Sequence, residues 1–343
     1  MNSALPRIDY YALGGTIASV SSKEGGVGAV PTLTASGIVD DIVGVRDVAD
    51  VHTRDFLLTP SPEITVPDLV GLVAAARAAV DDGARGFVVT QGTDSIEETA
   101  FAADLLWDRA EPIVFTGAMR NPSLPGSEGA ANLLGAIQLA ASPESRDMGV
   151  LVTLNDEIHA ARHVRKTHTS SPSTFGSPGL GPIGWISEGH PVVAMRPTRR
   201  ASLTVDKDAH IPSVALVKIG LADDCRLLSA VADLGYDGVV IEALGGGHIP
   251  AAGLPAIDRL VAMMPVVLTS RTGSGEVLGS TYRFPGSEID LAQRGTLRGG
   301  ALDGPKARIL LTLALAAGLD RAALVDMLGV VGTTTTPVIP PLA

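Results

Sequence analysis

Short apolar runs, each closed by glycine, proline or an Asx residue, recur along nearly the whole chain and dictate what it can fold into. They occupy positions 8–13, 86–90, 112–115, 149–154, 213–219, 238–243 and 265–269. Each is too short for a buried helix and rich in β-branched or other aliphatic residues, so each reads as a strand. Helix-like segments lie between many of them. Thr65-Val66-Pro67-Asp68 offers a capping residue, an early-turn proline and an acidic side chain ahead of an alanine-rich run to Val80. Ser95-Ile96-Glu97-Glu98 has the capping-box pattern before a segment ending near Trp107. Asp303-Gly304-Pro305 precedes a long segment with an apolar face, which Gly318 is placed to stop. Strands alternating with helices predict an α/β fold built on a parallel-rich open sheet.

The rhythm breaks between 190 and 212, where Pro191, Pro197, three arginines and an Asp-Lys-Asp run show no periodicity. The expected organisation is a larger N-terminal domain at 1–190, a linker at 191–212 and a smaller C-terminal α/β domain at 213–343. The 343 residues suit two domains. The tail 333–343 is expected to be extended. No internal repeat is evident.

Hydrophobic residues at 45% and charged ones at 18% place the chain among globular proteins. Aromatics contribute only 3%, so aliphatic side chains must fill the core. A formal charge of −11 argues against nucleic acid or an anionic membrane as a partner. Cys225 is the one cysteine, which rules out an internal disulfide framework and a cysteine metal cluster. No run approaches the roughly 18 apolar residues of a membrane span. The segment from Met1 through Arg7 lacks the apolar core of a secretory signal, so a cytoplasmic protein is expected.

In an open α/β sheet, ligands bind beyond the carboxyl ends of the strands. Two of those ends carry hydroxyls in glycine-rich turns: Leu13-Gly14-Gly15-Thr16-Ile17 and Thr90-Gln91-Gly92-Thr93-Asp94-Ser95. Glycines let the backbone approach a ligand closely. Thr93 and Asp94 fall at the positive end of the following helix, which favours a carboxylate. Ordinary capping is the plainer reading of a single threonine in such a place. A third segment adds weight. Asn155-Asp156-Glu157 reads as a turn between the strand at 149–154 and an alternating stretch at 158–164, leading to Arg165-Lys166-Thr167. A lysine beside a threonine and an aspartate in a partly dry cleft can act as a general base once desolvation lowers its pKa.

Taken together, Gly14-Gly15-Thr16-Ile17-Ala18, Gly92-Thr93-Asp94-Ser95-Ile96-Glu97-Glu98-Thr99-Ala100, Thr116-Gly117-Ala118-Met119-Arg120 and Lys306-Ala307-Arg308 resemble the bacterial-type L-asparaginases. The resemblance extends, with decreasing sharpness, over nearly the whole chain. It implies hydrolysis of the side-chain amide of L-asparagine through a threonine acyl-enzyme, without metal or cofactor. It also implies a homodimer or homotetramer with active sites at subunit interfaces. Residue by residue, it makes Thr16 the acylated threonine and Thr93, Asp94 and Lys166 its catalytic support. Ser61, followed by Pro62 and Glu63, matches the serine that holds the substrate carboxylate, and Ala118 a carbonyl facing the leaving amide. His248, in Gly245-Gly246-Gly247-His248, stands where the family has an asparagine. Glu288 matches a glutamate lent by a partner subunit. The family's loop tyrosine is missing from 21–34, and Tyr282 is the candidate to supply that hydroxyl from a partner chain. A related amidase preferring glutamine or another amide, and a catalytically silent amino-acid sensor, are the alternatives.

Two other patterns carry less. Gly179-Leu180-Gly181-Pro182-Ile183-Gly184 has dinucleotide-binding spacing, but its prolines oppose the strand–turn–helix that such a site needs. His159, His163 and His168 invite a metal reading, yet in a strand an offset of four residues separates side chains by about 13 Å.

Overall fold

All five residues of the strand Gly86–Thr90 are buried, the state of a central strand covered on both faces. The computed structural model describes residues 4–21, 29–31, 33–198 and 202–332. The chain divides into two units, Met1–Ser202 and Leu203–Ala343. In chain order, the first unit has strands β1 (Arg7–Ala12), β2 (Ser19–Ser21), β3 (Ala29–Pro31), β4 (Asp50–Asp55), β5 (Gly86–Thr90) and β6 (Ile113–Thr116). There follow β7 (Val150–Leu154), β8 (Glu157–Ala160), β9 (Arg165–Lys166), β10 (Phe175–Gly176), β11 (Gly184–Ser187) and β12 (His190–Val193).

Eight of these form one sheet in the order β12-β11-β8-β7-β6-β5-β1-β4. Strands β4, β1, β5, β6 and β7 are parallel, and β8, β11 and β12 extend the sheet through antiparallel pairs. The chain goes from β1 to β4 on one side and then to β5 on the other. The sheet order therefore reverses at β1 and β5, a topological switch point of the kind at which α/β proteins bind ligands. Ala12 and Thr90 are register partners, so the two strands end level with each other. Helices Ala35–Asp40 and Gly129–Ala141 cover one face, packing Ile38, Leu133, Ala136 and Ile137 on Ile8, Tyr10, Val88 and Val114.

Local sequence explains several boundaries. Thr65 and Asp68 form the full capping box of helix Val66–Asp81, with Thr65 N–H to Asp68 Oδ2 at 2.9 Å. Such caps stabilise by about 1 kcal/mol. Asn155 and Asp156 both adopt left-handed backbone angles (φ 52° and 63°) between β7 and β8. That is the two-residue turn whose twist suits a tight hairpin.

Two expectations need correction. Pro191–Val193, assigned to the linker, pair with β11 as the edge strand of the main sheet. An edge is where a strand tolerates proline, because one row of its backbone groups has no neighbour to bond. The capping box at Ser95 does not form either. Thr93–Ser95 is a single 3-10 turn, and Ser95 makes no side-chain cap to helix Ile96–Leu106.

The second unit holds β13 (Val214–Lys218), β14 (Gly238–Ala243), β15 (Val266–Ser270) and β16 (Leu297–Arg298), all parallel and in that order. Val239, Ile241, Leu260 and Leu268 lie at its core. Asp303 caps the buried helix Gly304–Ala316 by accepting the Lys306 N–H at 2.9 Å, and Gly318 follows it at φ 72°. The tail 333–343 lies outside the described residues.

Candidate active site

The loops after β1 and β5 meet at the switch point. Gly15 has φ 89°, and a Cβ there would lie 2.2 Å from the backbone nitrogen of Gly92. Only glycine permits both the turn and the contact. Thr16 is thus set on a loop packed against the one that carries Thr93 and Asp94. Each threonine opens one 3-10 turn, Thr16–Ala18 and Thr93–Ser95.

A third loop closes on these two. Ser61 is buried, and a Cβ on Gly92 would come within 2.7 Å of its Oγ. The Ser61 carbonyl accepts the Ser95 hydroxyl at 3.0 Å. Ser95 in turn accepts from Gln91 Nε2 at 3.2 Å, and Gln91 Oε1 accepts from Thr99 at 2.9 Å. Ser95 therefore ties the Ser61 loop to the β5 loop instead of capping a helix.

Lys166 arrives from β9, which pairs with β10 through Lys166 and Phe175. Its ammonium donates to Thr93 Oγ1 at 2.9 Å and to Asp94 Oδ1 at 2.6 Å. Its backbone N–H donates to Glu97 Oε2 at 2.7 Å. The lysine side chain is 14% exposed and the Asp94 side chain 69%. With one partner so open to water, the ion pair contributes little to stability, and its value is to aim the lysine.

Thr93 Oγ1 accepts from the lysine and sends its own proton to Met119 Sδ at 3.3 Å. Met119 follows the buried Ala118, and its backbone N–H is held by Glu128. Asn132 donates to the Gly117 carbonyl at 2.9 Å and accepts the Asn155 N–H at 3.0 Å, joining the loops after β6 and β7.

A cleft of about 550 Å³, lined by Asp94, Glu97, Lys166, Thr167, His168 and Thr169, opens beside the lysine. His168 Nδ1 accepts the backbone N–H groups of Ser170 and Ser171 at 3.1 and 3.0 Å. An amide N–H only donates, so Nδ1 is the acceptor in both bonds.

The structure thus joins Thr93, Asp94 and Lys166 by direct hydrogen bonds and puts Thr16 and Ser61 on loops packed against theirs. Glu63 ends the 3-10 turn Ser61–Glu63 and is exposed. His248, Tyr282 and Glu288 form a separate cluster in the second unit. His248 Nε2 and Glu288 Oε2 are 3.1 Å apart, while Glu288 Oε1 accepts the N–H groups of Thr281 and Tyr282 at 2.8 and 2.7 Å. Burial pushes the Glu288 carboxyl up, but these backbone N–H groups and His248 outweigh it and hold the group below the usual carboxylate value. The His248 ring meets Tyr282 and Phe284 edge-on at 5.2 and 5.1 Å. The missing loop tyrosine concerns 21–34, where residues 22–28 and 32 lie outside the described residues. His159 is fully buried between Ser177 Oγ at 3.0 Å and Glu157 Oε2 at 3.2 Å. Sequence reasoning missed the roles of Glu97, Met119 and Asn132, since each acts through a contact distant along the chain.

Comparison with known proteins accords with this geometry. Residues 7–199 match the family model "Asparaginase, N-terminal" and residues 213–328 the "Glutaminase/Asparaginase C-terminal domain". An L-asparaginase of Bacillus licheniformis is 31% identical over 312 residues, covering 90% of this chain and 95% of that protein. A probable periplasmic L-asparaginase of Haemophilus influenzae is 31% identical, covering 91% of this chain and 89% of its own length. The crystal structure of a probable cytoplasmic L-asparaginase from Campylobacter jejuni superposes with a TM-score of 0.84 at 27% identity, over 94% of this chain and 99% of that one. These matches, over nearly the whole of an α/β chain, place it among the amidohydrolases. This chain belongs to the asparaginase family.

Proposed function

We propose that this protein hydrolyses the side-chain amide of L-asparagine to L-aspartate and ammonia through an ester on Thr16. The observation that carries the reading is the Lys166–Thr93–Asp94 contact on a loop packed against that of Thr16, at the switch point of the sheet. Thr16 Oγ attacks the amide carbon, its proton passes to the leaving nitrogen, and ammonia departs. Water then attacks the β-aspartyl ester, releasing aspartate and restoring the threonine hydroxyl. A free threonine hydroxyl is a weak nucleophile, so Thr93, oriented by the Lys166 ammonium, relays the Thr16 proton to the leaving nitrogen and supplies the activation. In this reading backbone N–H groups of the two glycine-rich loops stabilise the oxyanion, a contribution of roughly 2.7–4 kcal/mol per donor in other hydrolases.

In this reading Ser61 binds the α-carboxylate, Asp94 the α-ammonium, and the Ala118 carbonyl the leaving amide. A homodimer or homotetramer completes the site with Glu288 of a partner subunit. The reading includes a cytoplasmic location, as in the name of the Campylobacter jejuni protein, whereas the Haemophilus influenzae relative is named periplasmic. The deciding experiment is ammonia release by the purified protein from L-asparagine, L-glutamine and D-asparagine. Turnover of L-asparagine together with an aspartyl adduct on Thr16, detected by mass spectrometry of quenched enzyme, is the expected result. Ammonia release with no adduct on Thr16, even in a slowed Lys166→Met variant, would refute the acyl-enzyme.

A further inference from the structure

The hydroxyl of Thr93 sits between an ammonium and a thioether, and the two neighbours differ in what they can do with a proton. Lys166 Nζ donates to Thr93 Oγ1 at 2.9 Å. As an ammonium it carries three donors and no acceptor, so the Thr93 proton has to point elsewhere. It points to Met119 Sδ at 3.3 Å. Thioether sulfur is a weak acceptor, much poorer than a carbonyl or amide oxygen.

We propose that Met119 is a positioning residue for the reaction, parking the Thr93 proton on a weak acceptor from which it is readily released. The inference rests on the reading of Thr93 and Lys166 as the proton-transfer pair beside Thr16. In the resting site, the thioether keeps the Thr93 hydroxyl turned so that its lone pairs receive Lys166. During the reaction the Thr93 proton has to swing toward the leaving nitrogen of the substrate, since the ammonium has no lone pair to receive it. Leaving sulfur forfeits little, whereas leaving an oxygen acceptor would forfeit a full hydrogen bond.

The surroundings hold the sulfur in place. Glu128 fixes the Met119 backbone N–H, and Asn132 anchors the Gly117 carbonyl two residues earlier. A Cβ on Gly117 would lie 3.2 Å from Thr93 Cγ2 and 2.7 Å from the Gln91 carbonyl, so the β6 loop is pressed directly onto the β5 loop. A methionine here is thus held by its backbone against one face of Thr93.

Two substitutions separate proton parking from space filling. Met119→Leu keeps the apolar volume and removes the acceptor, and Met119→Gln keeps the unbranched length and adds a strong oxygen acceptor. Wild type, both variants and Lys166→Met are compared for ammonia release from L-asparagine, with circular dichroism and thermal melting as the fold check. The expected order of kcat is wild type, then Met119→Leu lower by about threefold, then Met119→Gln lower by about tenfold, the latter corresponding to 1.4 kcal/mol. KM is expected to stay within about twofold, since the parked proton matters after substrate is bound. In Met119→Gln the acidic limb of the kcat–pH profile is expected to move, because the Thr93–Lys166 pair no longer exchanges its proton freely. Met119→Leu equal to wild type, with Met119→Gln changed only in melting temperature, would mean that the side chain fills space. Met119→Gln faster than wild type would mean that a strong acceptor helps, the reverse of the proposal. Absence of turnover in the wild type would remove the functional reading and this inference with it, an outcome distinct from an active wild type with the wrong order of variants.

Discussion

Glu97 accepts the backbone N–H of Lys166 at 2.7 Å, so the helix that begins after the Thr93 turn also anchors the strand that delivers the lysine. One short segment therefore supplies the lysine's side-chain partners, Thr93 and Asp94, and its main-chain anchor. Hydrogen bonds to charged groups contribute about 1.5–3 kcal/mol, and a misplaced catalytic group loses roughly tenfold in rate for each 1.4 kcal/mol. Glu97→Ala is expected to lower kcat at least tenfold with KM within about threefold. Glu97→Gln, which keeps an oxygen acceptor, should recover most of that loss. Steady-state kinetics on L-asparagine read both, and equal effects would show that charge, not the anchor, is what matters.

Thr16→Ala is expected to abolish turnover while leaving melting temperature within a few degrees, because it removes one partly exposed hydroxyl from a loop whose path is set by Gly14 and Gly15. Residual turnover within tenfold of wild type would remove Thr16 as nucleophile. Lys166→Met should lower kcat with modest change in KM, since proton transfer is a transition-state contribution.

The two substrate-end groups should behave differently. Ser61→Ala is expected mainly to raise KM, because the proposed bond to the substrate carboxylate would be made in ground and transition states alike. Asp94→Asn should cost more in kcat/KM, because it would weaken the proposed ammonium site and also loosens the partner of Lys166 at 2.6 Å. Negligible effects from both would refute the proposed orientation of the substrate.

How much of this the sequence makes legible depends on distance along the chain. The strand ends with Thr16 and Thr93, the Thr65 capping box and the Asn155-Asp156 turn are local patterns, and they fold as read. Ser95 is different. Its capping signature is local, but its hydroxyl goes to the Ser61 carbonyl, 34 residues away, and that contact wins. Pro191 breaks the look of a strand, yet β12 lies at the sheet edge, where the missing N–H costs nothing. Glu97, Met119 and Asn132 bond partners that only the assembled sheet brings near, so no spacing rule announces them.

His159 provides a test of pH and stability. Burial lowers its pKa below the ordinary 6.5, with Glu157 opposing that shift only in part. The unfolded chain therefore takes up the proton first as pH falls. Stability from this residue is fully present above pH 6.5 and is lost as pH drops through that value toward the lower folded one. The slope can reach about 1.4 kcal/mol per pH unit for one proton. Denaturant unfolding of wild type between pH 7.5 and 5 should show this decline. In His159→Gln, which keeps polar atoms near Ser177 and Glu157 but cannot titrate, the decline should flatten. An unchanged slope would assign the acid sensitivity to other groups.

The final prediction concerns the hydroxyl that Thr16 lacks from its own loop. The family resemblance places a tyrosine in the stretch where this chain has none, and Thr16 still needs a proton relay. Tyr10 is fully buried and bonded to Thr90 at 2.8 Å, and burial pushes its phenol well above the usual value, so it is committed to the core. Tyr11 packs between Phe56 and Phe87. Tyr236 packs against the core of the second unit. Tyr282 is 45% exposed, and its backbone N–H is fixed by the buried Glu288 carboxylate. If Glu288 of a partner subunit completes the site, as the functional reading has it, Tyr282 is carried there on the same anchor. Tyr282→Phe removes the hydroxyl and keeps the ring that meets His248 edge-on. A relay role predicts a kcat lowered at least tenfold in an oligomer that sediments like wild type, with Glu288→Gln weakening both KM and kcat because it frees the anchor. Unchanged kcat in a correctly assembled Tyr282→Phe protein would end the relay and leave Lys166, acting through Thr93, as the group that activates Thr16.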